Sequence, residues 1–329
     1  WWGWRVVVLP CRFINGFIAA GQWSYSMLVC KGMMLSANKL EWRTLLHFHS
    51  LHFRKVRFMC AQFIQPLIIG HRGAVGVMPE NTAAAYAFAL AQGVDGIEFD
   101  VHLCRDGVPV VLHDANLLRT TGVERFVHEM TFAELRKLDA AAVYRAGPSA
   151  SAAPFQNVPA LQEVLAWAPA PTLLCVELKT HQDGSLYAGL EEIVARTVQD
   201  ASVEKRTIFS SFNFEILERL RQLAPHIRRH AIVSAPYFNQ PGFDDCGRVA
   251  DDLAARGIDW VAVNRAYLTQ SLADILQSRG ILTHAWVINT VEEFTTFANL
   301  GVTAVTTDRP DLLCAVPRHS DRRSDHGAW

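Results

Sequence analysis

The chain has 329 residues, 50% hydrophobic and 19% charged, with Lys and Arg (31) offset by Asp and Glu (32) to a net charge of -1. Such a composition belongs to a globular protein with a large core. No global positive field is present to attract nucleic acid, so an anionic ligand must be met by local cations.

Residues 1–65 read differently from the remainder. The chain opens on Trp1 and offers Met27, Met33, Met34 and Met59 as later starts. The apolar run from Val6 to Ala20 is broken by Pro10, Arg12, Asn15 and Gly16, too short and interrupted for a membrane span. The small residues Ala19-Ala20-Gly21 follow it without the clean apolar region of a signal peptide. His47, His49 and His52 lie close together, but no carboxylate or cysteine joins them in register as a metal tract would require. This segment is expected to be an N-terminal extension outside the main domain, with no stable membrane insertion. The seven cysteines are scattered and form no C-x-x-C pair, which points to a reducing, cytoplasmic setting.

From Pro66 onward short apolar runs alternate with helix-period segments. Strands are expected at Pro66–His71, Gly96–His102, Thr172–Lys179, Thr207–Ser211, Arg229–Ser234, Ile258–Val263, Ile281–Ile288 and Thr303–Thr307. Amphipathic helices are expected between them at Ala83–Gln92, Ser185–Gln199, Glu215–Ala224, Leu268–Arg279 and Val291–Leu300. Thr131 before FAEL and Thr290 before VEEF have the spacing of capping boxes. Eight β/α units in one domain predict an α/β TIM barrel over residues 66–315, followed by a polar tail at 316–329. One hairpin interrupts the parallel order. Asp106-Gly107 is a turn signal between IEFDVHLC and VPVVLHD, and residues 115–159 after it read as a small insertion at the barrel mouth.

In such a barrel the working residues sit at the C-terminal ends of the strands. His71 and Arg72 end the first strand. Glu98 and Asp100 share one face of the second through their i, i+2 spacing, and Glu177 and Lys179 repeat that spacing on the third. Three carboxylates on neighbouring strands make a hard-oxygen site suited to Mg²⁺ or Ca²⁺. A turn centred on Asp106-Gly107 would pair position 100 with about 113, setting His113 beside Asp100. His71 and His113 could then flank one reacting phosphorus as proton donor and acceptor. Phe212 and Trp286, near strand ends, are equally candidates for substrate packing and for ordinary core aromatics.

The run HRG…PENT…GVDGIEFDVHLCRDGVPVVLHD, followed by VELK, closely resembles the glycerophosphodiester phosphodiesterases, bacterial cytoplasmic type. SSF at Ser210–Phe212, AWVIN at Ala285–Asn289 and TTDRPD at Thr306–Asp311 agree, and the resemblance covers about residues 66–314. It implies a TIM barrel, one divalent cation, and hydrolysis of diesters such as glycerophosphocholine to sn-glycerol 3-phosphate and an alcohol. It also implies acid/base roles for His71 and His113, metal binding by Glu98, Asp100 and Glu177, and phosphate contact by Arg72 and Lys179. Within PENT, Pro79 and Asn81 would shape the start of the first helix and Glu80 would brace the site. Cys104 and Val287 stand where the family commonly has Thr. Two rival readings are a lysophospholipase D-like lipid phosphodiesterase, which needs an apolar groove or anchor, and a non-catalytic phosphodiester-binding barrel, which predicts an erased catalytic residue.

Overall fold

The computed structural model describes residues 65–146 and 154–317. The expectations for residues 1–64 and for the tail from 318 onward lie outside the described residues, as do positions 147–153 of the GPSASAAP loop. The described residues form nine strands: β1 (Leu67–Gly70), β2 (Gly96–Leu103), β3 (Pro109–Val111), β4 (Leu173–Leu178), β5 (Thr207–Ser211), β6 (Arg228–Val233), β7 (Trp260–Asn264), β8 (Leu282–Trp286) and β9 (Ala304–Thr307). All but β3 run parallel. β1 pairs with both β9 and β2, so the parallel ring closes and leaves no edge.

The alternation of each strand divides its side chains between two environments. Outward-facing Ile97, Phe99, Val101, Leu174, Val176 and Phe209 pack beneath the surrounding helices. Inward-facing Leu67, Ile69, Cys175, Ile208, Trp260 and Ala304 fill one end of the barrel as an apolar plug. Each large apolar side chain buried there contributes about 1.5–3 kcal/mol. Toward the C-terminal ends the inward positions turn polar: Glu98, Asp100, Glu177, Ser210, His230, His284 and Thr306 are all buried. A closed barrel retains so many buried polar groups where they serve chemistry or one another.

The hairpin has a structural reason. β1 pairs only with Gly96 and Ile97 at the start of β2, which leaves one side of the upper half of β2 open. β3 covers it antiparallel, with Val101 opposite Val111 and Leu103 opposite Pro109. This register is one residue away from the expected one: Leu112, not His113, lies across from Asp100 and donates its N–H to the Asp100 carbonyl at 3.0 Å. His113 reaches the site because the strand has already ended at Val111. The Cys104 thiol donates to Asp106 Oδ1 at 2.9 Å, so the turn keeps its side-chain bond without threonine. The insertion that follows carries its own small core of Val110, Leu112, Leu117, Val127, Leu135 and Val158.

Two local expectations need correction. The helix expected from Ser185 begins at Leu190, because Asp183 Oδ1 accepts both the N–H and the hydroxyl of Ser185 in a turn. Thr131 and Glu134 form the full capping box. At Thr290 only half of it forms, since the Glu293 carboxylate accepts the Asn289 N–H at 3.0 Å instead.

Candidate active site

Glu98 and Asp100 point inward from β2, and the parallel register sets Glu177 of β4 directly beside Asp100. One oxygen of each of the three carboxylates lies within 4.8 Å of the others. Burial pushes the Glu98 carboxyl well above its ordinary value, and repulsion from Asp100 and Glu177 pushes it further. Burial acts on Asp100 in the same direction, but Lys179 and Arg72 outweigh it and hold that carboxyl well below the usual range. Lys179 Nζ is 2.5 Å from Glu177 Oε1 and 3.0 Å from Asp100 Oδ1. Lys179 and Arg72 are two cations set among three buried acids and Glu80, so negative charge remains in excess. The donor set, all oxygen and closely spaced, fits a hard divalent cation.

Arg72 sits in a strained turn. Its φ is 48°, in the left-handed region that disfavours a side chain. A Cβ on Gly70 would lie 2.2 Å from the Gly73 carbonyl oxygen, and Gly73 itself has φ 85° against the Ala85 backbone. The turn therefore needs glycine on both sides of His71-Arg72. It is held by the Arg72 N–H donating to Glu98 Oε2 at 2.9 Å and by the Asn81 N–H donating to the Arg72 carbonyl at 3.0 Å. The guanidinium donates to Glu80 at 3.0 Å, and its Nε is 3.5 Å from Asp100. Burial would lower the Arg72 pKa, yet Asp100, Glu80 and Glu98 together raise it. Residues so over-determined in strained conformations cluster at functional sites.

Each histidine is held by a carboxylate. His71 Nδ1 lies 2.6 Å from Asp308 Oδ1, and His113 Nδ1 lies 2.5 Å from Asp114 Oδ1. A carboxylate only accepts, so Nδ1–H is the donor in both and Nε2 remains for a ligand. Asp308 also accepts from Asn289 Nδ2 at 2.8 Å. Asp114 also accepts from Arg119 at 2.5 Å, and the same guanidinium grips Glu80 at 2.6 and 2.7 Å. That chain ties the insertion to the Arg72 turn. The main chain at His113 is fixed from below by His102, two residues beyond Asp100 on the same face of β2. Burial lowers the His102 pKa to about 4, so the ring is neutral. Its Nε2–H donates to the His113 carbonyl at 3.0 Å, which leaves Nδ1 to accept from the Tyr187 hydroxyl at 2.9 Å.

His71, Arg72, Glu98, His113, Glu177 and Lys179 line one cavity of about 120 Å³. Phe212 and Trp286 form part of its wall, edge to face at 5.8 Å, with Phe212 46% exposed. A wider trough of about 640 Å³, lined by His113, Asp114, Asn116, His181 and Phe212, adjoins it. Asp100 lies immediately behind the cavity in contact with Lys179. All nine residues singled out from the sequence thus converge. Those not singled out are Asp114, Asp308, Asn289, His102 and Arg119, while Asn81 was read only as a helix-start residue. Asn81 in fact donates to Asp100 Oδ2 at 2.8 Å. Asp114 directly follows His113, and Asp308 and Asn289 fall within TTDRPD and AWVIN, so a search for carboxylates and amides beside the quoted motifs would have found them.

Residues 71–312 match the model of the glycerophosphoryl diester phosphodiesterase family. A glycerophosphodiester phosphodiesterase of Caldanaerobacter subterraneus is 30% identical over 257 residues, covering 78% of this chain and 99% of that protein. A solved structure from Silicibacter pomeroyi overlays with a TM-score of 0.66 at 31% identity, covering 75% of this chain and 91% of that one. Another, an Oleispira antarctica phosphodiesterase in complex with the product sn-glycerol 3-phosphate, overlays with a TM-score of 0.60 at 27% identity, covering 76% and 96%.

Proposed function

The chain belongs to the glycerophosphoryl diester phosphodiesterase family, and from that premise we propose that it hydrolyses glycerophosphodiesters to sn-glycerol 3-phosphate and an alcohol with one divalent cation and the pair His71 and His113. The supporting observation is the convergence of two carboxylate-held imidazoles, a buried acid triad, Arg72 and Lys179 on one cavity. As a phosphoric diester hydrolase it must place a nucleophile and a leaving oxygen on opposite sides of phosphorus, and two histidines just beyond the ends of β1 and β3 supply one group for each.

Glu98, Asp100 and Glu177 would hold the cation, Mg²⁺ or Ca²⁺, which when bound offsets charge on the non-bridging oxygens. Arg72 and Lys179 meet the same phosphate from the cavity wall, Lys179 as a point charge. One imidazole Nε2 takes the proton of the attacking oxygen, either water directly or the glycerol 2-hydroxyl, which would give a cyclic phosphate that water then opens. The other gives a proton to the departing alkoxide. Asp308 and Asp114 keep each ring in the required tautomer and orientation, and Glu80 braces Arg72. Phe212 and Trp286 pack on the glycerol carbons, and the alcohol departs through the trough beside His113. The free thiols of Cys104, Cys175 and Cys246 support a reducing compartment, the cytoplasm, and among the described residues no helix is long and apolar enough to cross a membrane.

Incubation with glycerophosphocholine tests this. The expected result is release of glycerol 3-phosphate and choline that stops on chelation and resumes with Mg²⁺ or Ca²⁺. Turnover that survives exhaustive chelation would remove the metal, and preference for lysophosphatidylcholine would replace the substrate class.

A further inference from the structure

Below the acid triad the catalytic cavity meets the apolar plug only at Cys175. The same space of about 120 Å³ continues down to Cys175, Ser210, His230, His284 and Thr306. The register explains how it is built. Ser210 lies directly beside the metal-site residue Glu177, and His230 directly beside Ser210. His284 comes from β8, across the small Ala262 of β7 that lines the same cavity, and its ring stacks on His230 at 4.9 Å and 17°. Thr306 Oγ1 is 2.7 Å from His284 Nε2.

This floor is polar and short of partners. Ser210 Oγ, His230 Nε2 and His284 Nδ1 are buried and have no hydrogen-bond partner among the described residues. The residues that carry them are 1%, 3% and 2% exposed. A buried polar atom without a partner is costly, and such atoms are rare in native interiors. The three residues that carry them line one cavity that also reaches Glu98 and Glu177, and they need a common explanation.

We propose that Ser210, His230 and His284 form a hydroxyl-reading floor that binds the glycerol hydroxyl farthest from phosphorus. The proposal rests on the reading of the site as a glycerophosphodiester hydrolase and names the groups that would make it select glycerol over other esters. Three features favour an alcohol over an ion. Burial keeps both imidazoles neutral, that of His284 with its pKa lowered to about 3 and that of His230 well below its ordinary value. Neutral imidazole and a serine hydroxyl each offer both a donor and an acceptor, which is what an alcohol group presents in return. The charged groups of the cavity, Arg72, Lys179, Glu98 and Glu177, are gathered at its upper part. With phosphate among those groups, the 2-hydroxyl stays close to the acid triad and the terminal hydroxyl reaches deepest. A site built to hydrogen-bond a substrate hydroxyl discriminates strongly against the analogue that lacks it, because the site's own polar atoms are then left unpaired.

The test compares glycerophosphocholine with the phosphocholine ester of propane-1,2-diol, which keeps the hydroxyl next to the phosphoester and lacks the terminal one. The wild-type enzyme is expected to favour glycerophosphocholine in kcat/KM by about tenfold or more. Ser210→Ala and His230→Phe are expected to collapse that ratio, mainly through the KM of glycerophosphocholine. Ser210→Ala removes a single oxygen and keeps the barrel packed, so the ratio can be read even if His230→Phe fails to fold. Equal use of the two esters by the wild type, or an unchanged ratio in Ser210→Ala, overturns the hydroxyl floor and leaves the hydrolase reading intact. Failure to cleave either ester overturns both.

Discussion

Replacing Asp308 by asparagine removes one charge while keeping the shape of the His71 dyad. The asparagine oxygen can still accept the Nδ1–H now held at 2.6 Å, although its amide nitrogen then faces the Asn289 amide that donates to Asp308 Oδ2 at 2.8 Å, so that bond is lost. What disappears is the attraction between the carboxylate and the imidazolium that forms whenever His71 carries its second proton. With charge centres about 4 Å apart and an effective dielectric near 20, that attraction is about 4 kcal/mol. At 1.36 kcal/mol per decade this sets a ceiling near a thousandfold on the rate. Partial exposure of the pair, 20% for His71 and 25% for Asp308, screens some of it. The expected loss is about 10²–10³ in kcat, with KM changed by less than threefold. Asp308 is itself held below the ordinary carboxyl range, since the His71 and Asn289 bonds outweigh its burial, so its charge is present throughout the neutral range. The assay is initial-rate release of glycerol 3-phosphate from glycerophosphocholine, alongside thermal melts to verify folding. A folded variant with kcat within threefold of wild type would refute the electrostatic role of the Asp308 carboxylate.

The Arg72 turn gives a stability prediction. Gly73→Ala, whose new Cβ would meet Ala85 backbone at 2.7 Å with φ at 85°, should cost about 1–3 kcal/mol in denaturant unfolding; a loss below 0.5 kcal/mol would show that the turn relaxes freely. The acid triad gives a pH prediction. Because the Glu98 pKa is raised on folding, first by burial and then by Asp100 and Glu177, ionising it carries a cost that is absent below the unfolded value near 4.5 and grows as pH rises through the folded value. A bound cation relieves that cost, so the gain in Tm on adding Mg²⁺ or Ca²⁺ should increase from pH 5 to pH 8. A gain that is flat or shrinks with pH would contradict it.

The parts of the molecule that follow local rules were legible from the sequence. Parallel strands such as GIEFDV and LLCVEL alternate cleanly, and the i, i+2 rule put Glu98 with Asp100 and Glu177 with Lys179 on the inward face. The hairpin turn was legible too, but its register was not. One residue of slip changes the face of every side chain in a strand, and the position of His113 depends on the chain leaving the strand at Val111. The partners of the histidines were hidden for another reason. His71 and Asp308 are 237 positions apart and meet only because β9 closes the ring on β1. The buried floor was hidden for the same reason: Ser210, His230 and His284 come from three different strands, and only closure of the barrel brings them to one cavity.

The measurement that bears most directly on the central claim is the turnover of glycerophosphocholine by His71→Ala, His113→Ala and the double variant at saturating divalent cation. If the two imidazoles act as one acid/base pair, each single variant loses about 10²–10⁴ in kcat and the double variant loses little more. Wild-type turnover in either single variant would contradict the account.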